Sequence, residues 1–195
     1  MQPTKTQIRK TAIEALTNFP MAEKRHADVE ITHALTSLRV YKNAKSICSY
    51  VSTQTEVNTH QIIREALLAK GSIIVPKIQG ANLELYSIRS FEELSAGAYG
   101  ILEPQTRRAH VPIQSIDLFI IPGLAFGKDG TRLGRGKSFY DRLLSTVHIP
   151  IVGLAYNRQV YDTVPHGAKD KKVDILITET HIYDFIITTF RSNNL

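Results

Sequence analysis

This chain has almost no cysteine, no long apolar run and no histidine pair at ligand spacing. Among 195 residues Cys48 is the one cysteine, which excludes an internal disulfide framework. It sits in an apolar run and reads as a small buried hydrophobe, not a nucleophile. No apolar stretch is long enough to span a bilayer. The N-terminal residues carry lysine and threonine and lack the apolar core of a signal peptide, so a cytoplasmic chain is expected. The seven histidines show no H-x-x-x-H spacing, which argues against zinc. A G-x-S-x-G element is also missing, and with it any serine-hydrolase signal. Repeats, low-complexity tracts and dividing linkers are absent, so one domain over residues 1–195 is expected, with ample length for a core.

The chain does have positive charge and glycine. The hydrophobic fraction of 43% and charged fraction of 22% are ordinary for a globular chain. The formal charge of +6 suits an anionic ligand: a nucleotide, a polyglutamate or nucleic acid. No uninterrupted basic block occurs, and cations gather instead in Gly123-Leu-Ala-Phe-Gly-Lys-Asp-Gly-Thr-Arg-Leu-Gly-Arg-Gly-Lys-Ser-Phe-Tyr-Asp141. That favours a small anion over nucleic acid. An apolar run, Leu118 to Ile121, precedes this stretch and ends at Pro122; a short helical pattern, Phe139 to Val147, follows it. Glycines allow close approach of backbone amides to a ligand. Neighbouring Lys128, Arg132, Arg135 and Lys137, with a helix start behind them, complete a candidate phosphate-binding loop. The plain alternative is a surface turn with solvated cations. The stretch is not a P-loop, because the first glycine that Gly136-Lys137-Ser138 requires would fall at Thr131. Nor is it G-x-G-x-x-G, since Phe139 stands where a third glycine is needed.

Hydrophobic spacing predicts helices over Pro3 to Phe19 and Met21 to Leu38, the second with Ala27, Ile31, Ala34, Leu35 and Leu38 inward. Lys5 and Arg9 share one face of the first helix; a solvated basic edge is the plain reading. Ser46 to Val51 is a predicted strand, followed by a loop with Glu56. A helix capped by Asn58 is expected to run through Lys70 to Gly71. Ser72 to Val75 is a predicted buried strand closed by Pro76, and Leu83 to Ile88 a candidate edge strand. Gly97 to Pro104 reads as a turn-rich loop and residues 105–114 as a polar, mobile segment. Further strands are expected at Ile149 to Ala155, Asp174 to Ile177 and Ile182 to Phe190. The alternation predicts a layered α/β/α fold with a central, largely parallel sheet. Such sheets bind ligands off the carboxyl ends of their strands, where the glycine stretch lies.

A polyphosphate site needs magnesium, which prefers carboxylate oxygens. Asp141 stands just past the cations, and Asp170 and Asp174 flank another strand. Each alone is as readily a cap or a surface acid.

Taken together, Pro122-Gly-Leu-Ala-Phe126, Gly130-Thr-Arg-Leu-Gly-Arg-Gly-Lys137 and Tyr140-Asp141 closely resemble the signature of the 5-formyltetrahydrofolate cyclo-ligase family, also called methenyltetrahydrofolate synthetases. The resemblance runs over nearly the whole chain. It includes Lys5 and Arg9, Glu56-Val-Asn-Thr59, Tyr99-Gly-Ile-Leu-Glu-Pro104, Val152-Gly-Leu-Ala155, Gln159, Val164-Pro165 and Asp170-Lys-Lys-Val-Asp174, in order. It implies ATP-dependent conversion of 5-formyltetrahydrofolate to 5,10-methenyltetrahydrofolate, giving ADP and phosphate. By the same resemblance Arg132, Arg135 and Lys137 neutralise the transferring phosphoryl group. ATP lies against Lys5, Arg9 and Arg132, Leu133, Gly134, Arg135, Gly136, Lys137, Ser138, Phe139 and Tyr140. Asp141 and Asp170 bind Mg2+. Val51, through its backbone, and Glu56 hold the folate, and Tyr99 lines its pocket. Reduced folate and ATP are the implied partners, with no nucleic acid, membrane or obligate protein partner.

Two positions depart from the family's common G-K-G-Y-Y-D, because Ser138 and Phe139 stand in it here. Ser138 adds a side chain, and Phe139 lacks a hydroxyl worth about 1 kcal/mol as a hydrogen bond. Neither removes a charge. A non-catalytic folate or nucleotide binder and an RNA-associated basic protein are the competing readings.

Overall fold

The computed structural model describes residues 3–97, 100–105, 110–168 and 170–186. Its helices are α1 (Lys5–Thr17), α2 (Met21–Ser37), α3 (Arg39–Asn43), α4 (His60–Lys70) and α5 (Phe139–Leu143). Seven strands form the main sheet: β1 (Ile47–Ser49), β2 (Ile73–Gln79), β3 (Asn82–Ile88), β6 (Leu118–Ile121), β9 (Ile151–Leu154), β11 (Ile175–Ile177) and β12 (Ile182–Asp184). The spatial order is β12-β11-β9-β6-β1-β2-β3. The five inner strands are mutually parallel, and β3 and β12 pair antiparallel at the two edges. Five smaller strands complete the fold. Two are β4 (Leu94–Ala96) and β5 (Leu102–Pro104), and three form a side sheet, β7 (Ala125–Gly127), β8 (Arg132–Leu133) and β10 (Val160–Tyr161).

The inner strands β1, β6, β9 and β11 and the first three residues of β2 are short, mostly apolar and buried on both faces, as parallel strands covered by helices must be. Ile47, Leu118, Ile120, Val152 and Ile177 point to the face covered by α1, α2 and α4. Cys48, Phe119, Ile121, Ile151 and Leu176 point to the other face, against Phe126, Leu144 and Val147. The largely parallel α/β architecture is therefore as expected. Its second outer layer is thin, because α5 has only five residues. No helix among the described residues is long and apolar enough to cross a membrane.

Connectivity decides where a ligand can sit. From β1 the chain moves through α4 to β2 on one side. From β6 it moves to β9 and then β11 on the other. The connections leaving the carboxyl ends of the paired strands β1 and β6 thus diverge, opening the crevice in which such sheets bind ligands. Residues 50–56 leave the end of β1, and the glycine stretch leaves the end of β6.

Several local expectations change. Pro76 does not close β2, which continues to Gln79 paired with β3. Proline is tolerated there because β1 pairs only as far as Ile74, which leaves the far side of Pro76 without a ladder to break. Thr59, not Asn58, caps α4, without a side-chain cap bond; Asn58 Oδ1 instead accepts from the His60 amide at 2.9 Å. The loop over Gly97 to Pro104 includes β5, paired with β4. Ile182–Asp184 is strand as expected, while residues 187–190 lie outside the described residues. Of the segment 105–114, residues 106–109 lie outside the description, and its flanks are tied. The Gln105 amide donates to the Glu93 carbonyl (3.1 Å), and the Val111 amide to that of Leu85 (2.8 Å).

Candidate active site

The glycine stretch is not one loop but two pieces. Its first half is a hairpin, β7–β8, closed by Gly127 and Gly130. Gly130 has φ +82° and packs so closely that a Cβ would stand 2.8 Å from the Val173 carbonyl oxygen, so only glycine fits. Lys128 lies at this turn and pairs with Asp162 at 2.7 Å, so it belongs to the turn and not to the ligand loop. The second half, Gly134 to Ser138, is the exposed loop proper. The helix behind it, α5, is too short to contribute much dipole.

The N-terminal helix docks onto this loop. Thr4 and Gln7 form a reciprocal capping box that fixes the start of α1. Ile8, 2% exposed, packs on Ala125, Leu133 and Val164 of the side-sheet region, a burial worth about 2 kcal/mol. Lys5 and Arg9 flank it. Lys5 Nζ pairs with Asp170, and Arg9 Nε donates to the Gly134 carbonyl at 3.0 Å. The solvated-edge reading of these two residues is replaced by long-range contacts.

The other groups converge from both sides of the crevice. Arg135 projects from the loop toward the segment after β1, with its guanidinium 3.3 Å from Thr55 Oγ1 and 3.6 Å from Glu56 Oε1. Glu56 Oε2 accepts from the amide and hydroxyl of Thr53, both at 2.9 Å. The Val51 side chain lies in the core, so only its backbone can face a ligand. Lys137 and Ser138 are exposed at the loop tip. Leu133 is buried, and Tyr140 packs against both sides of the sheet. Burial pushes the Tyr140 hydroxyl pKa far up, so the group stays neutral. Phe139 lies beneath the Arg142 guanidinium, 5.5 Å away. Tyr99 lies outside the described residues.

Arg132 is the surprise. Its side chain is 3% exposed, beneath the loop and not at its mouth. One terminal nitrogen donates to Asp141 Oδ1 at 2.6 Å and the other to the Pro122 carbonyl at 3.2 Å. Its Nε is buried with no partner among the described residues. The Lys171 amide also donates to Asp141 Oδ1, at 3.3 Å, which brings the neighbouring Asp170 alongside. Burial alone would raise the Asp170 pKa, but the Lys5 ammonium and the Gly167 amide outweigh it, and the carboxyl titrates below its usual range. No group of three or more potential metal ligands occurs among the described residues. Two carboxylates nevertheless fit magnesium, which is commonly held by one or two plus phosphate oxygens and water.

Ser138 takes φ +51° and ψ +25°, the one non-glycine residue with positive φ among those described. It holds a backbone conformation that a glycine would adopt freely, so a serine at this position carries strain. The left-handed region costs a residue with a Cβ about 1 kcal/mol, and glycine's unfolded-state freedom returns part of that. Ser138→Gly is expected to raise the melting temperature by about 1–3 °C. A drop on thermal denaturation would refute the strain.

Residues 1–179 match the family model described as the 5-formyltetrahydrofolate cyclo-ligase family. A Haemophilus influenzae protein named 5-formyltetrahydrofolate cyclo-ligase is 30% identical, over 90% of this chain and 96% of its own length. A Caenorhabditis elegans protein named as a probable 5-formyltetrahydrofolate cyclo-ligase is 26% identical, over 95% of this chain and 98% of that one. The solved structure of Aquifex aeolicus 5,10-methenyltetrahydrofolate synthetase superposes with a TM-score of 0.85 at 35% identity, covering 93% of this chain and 92% of that one. The motif around the exposed loop, the fold that presents it and these likenesses agree: this chain belongs to the 5-formyltetrahydrofolate cyclo-ligase family.

Proposed function

We propose that the chain closes the ring of 5-formyltetrahydrofolate at the expense of ATP, giving 5,10-methenyltetrahydrofolate, ADP and phosphate. The observation that carries this reading is the convergence, off the carboxyl ends of β1 and β6, of the Glu56 segment with a cationic loop backed by α1. One wall suits a folate and the other a polyphosphate, with Arg135 between them.

In this reading Lys5, Arg9 and the residues from Leu133 to Tyr140 line the nucleotide, and Lys137 and Arg135 meet its terminal phosphate. Asp141 and Asp170 hold Mg2+, which when bound offsets the charge of the phosphate chain. The formyl oxygen attacks the terminal phosphorus, and the bond to the ADP oxygen breaks. The other folate nitrogen then attacks the activated formyl carbon and gives up its proton; a C–N bond forms and phosphate leaves with the formyl oxygen. Charge spread over the phosphoryl oxygens is greatest during the first transfer, and there Lys137 and Arg135 act. Glu56 and the Val51 backbone orient the folate, and the family resemblance assigns Tyr99 to the lining of its pocket. The site of action is expected to be the cytoplasm.

The test is a spectrophotometric ring-closure assay with and without ATP and magnesium, run beside an ADP-release assay. Methenyl-folate absorbance is expected to rise only with all components present, and ADP to appear only with 5-formyltetrahydrofolate. Folate binding without turnover would leave a binder and refute catalysis.

A further inference from the structure

Three side chains outside the site already described grip the backbone of the Glu56 segment. Tyr156, just past the end of β9, is fully buried. Its hydroxyl donates to Asp28 Oδ1 at 2.6 Å and lies 3.0 Å from the Glu56 carbonyl oxygen. Asp28, on α2, uses that same oxygen to accept the Asn58 amide at 2.9 Å. Its second oxygen accepts from Lys24 Nζ at 3.0 Å. The Lys24 ammonium also stands over the Tyr156 ring, 5.3 Å from its centroid. From the end of β1, the Tyr50 hydroxyl donates to the Val57 carbonyl at 2.9 Å.

The segment is irregular backbone, half-buried at Glu56, buried at Val57 and exposed at Asn58, so its inward polar groups need partners. Asp28 and Tyr50 supply them at Asn58 and Val57, and the Tyr156 hydroxyl, shared with Asp28, stands against the Glu56 carbonyl. The cluster itself is expensive: a lysine 9% exposed and a carboxylate must leave water together. A surface loop with no task would not require it. The first residue of the gripped segment is Glu56, whose carboxylate faces Arg135.

We infer that Asp28 and Tyr156 are positioning residues for the folate half of the reaction, holding residues 56–58 so that the Glu56 carboxylate is aimed into the crevice. The inference rests on the folate ligase reading. Their hydrogen bonds reach the Glu56 segment and not the residues from Gly134 to Ser138, so folate and ATP should respond differently to their loss.

Tyr156→Phe keeps the ring, which packs edge-on against Phe19 at 4.8 Å, and removes only the hydroxyl. It is expected to raise KM for 5-formyltetrahydrofolate about tenfold, the worth of one lost hydrogen bond, with KM for ATP changed by less than about twofold. Asp28→Ala should act in the same direction. Asp28→Asn keeps an oxygen at the Oδ1 position and should recover most of the folate affinity. Both Asp28 variants strip Lys24 of its carboxylate. If Asp28→Asn is as impaired as Asp28→Ala, the role is merely structural and the inference fails. Equal rises in both KM values, or an unchanged folate KM, also overturn it. Amide hydrogen exchange of residues 53–58 provides the readout independent of turnover: it should accelerate in Tyr156→Phe and Asp28→Ala and stay slow in Asp28→Asn. A wild-type chain without ring closure would defeat the ligase reading, whereas wild-type exchange in all three variants would defeat the positioning claim.

Discussion

Replacing Lys137 by alanine is expected to lower turnover by about 10²–10³-fold, the effect of removing one aimed donor from developing charge, with the fold unchanged. Lys137 is exposed at the loop tip, between Gly136 with φ +94° and Ser138 with φ +51°. Positive-φ residues on either side bend the backbone sharply at this tip. A surface substitution away from packing changes stability by less than about 0.5 kcal/mol. The melting temperature should therefore stay put while kcat collapses. Wild-type turnover in Lys137→Ala would show that the loop's ammonium does not meet the transferring group. Lys137→Arg should restore activity only in part, since a planar fork replaces a compact point charge.

Arg132 should behave in the opposite way, with stability as the first casualty. Its guanidinium is 3% exposed and its partner Asp141 is 16% exposed. Removing one member of such a pair leaves an unpaired, half-desolvated charge, which costs about 3–5 kcal/mol. Arg132→Met is expected to show that loss in the urea midpoint. Adding Asp141→Leu removes the stranded carboxylate and should return most of it. The double variant should nevertheless stay inactive, because it lacks the carboxylate assigned to magnesium. A single variant as stable as wild type would mean that the pair contributes nothing to the fold. Arg132 thus holds Asp141 from below, while Arg135 and Lys137 stand exposed on the loop above it.

Much of this architecture was legible in the chain itself. The strands of the parallel core declare themselves because each is a short apolar run covered on both faces, as Leu118 to Ile121 shows. Gly71 ends α4 in the left-handed conformation, as its position suggested. What escaped has identifiable causes. The hairpin β7–β8 consists of three- and two-residue strands, too short to show alternation. The spacing of Lys5 and Arg9 reveals a shared helix face, but their partners Asp170 and Gly134 lie 165 and 125 residues away. Pairing at that distance depends on how Ile8 seats the helix. Arg132 looks like its neighbours Arg135 and Lys137 in the sequence, and only burial separates them. Asp28 resembles any charge on a solvated helix face. The available clue was that Lys24 and Asp28 continue the inward stripe of Ala27, Ile31 and Leu35, which places an ion pair against the core.

The central position of Cys48 has one more consequence. It lies on β1, bonded between β6 and β2, and is 2% exposed. Burial also pushes its thiol pKa far up, so the nucleophilic thiolate hardly exists in the native chain. An alkylating reagent can reach it only when the innermost strands part. The rate at which Cys48 is labelled therefore counts openings of the deepest part of the molecule, a natural clock for global unfolding that requires no engineered probe.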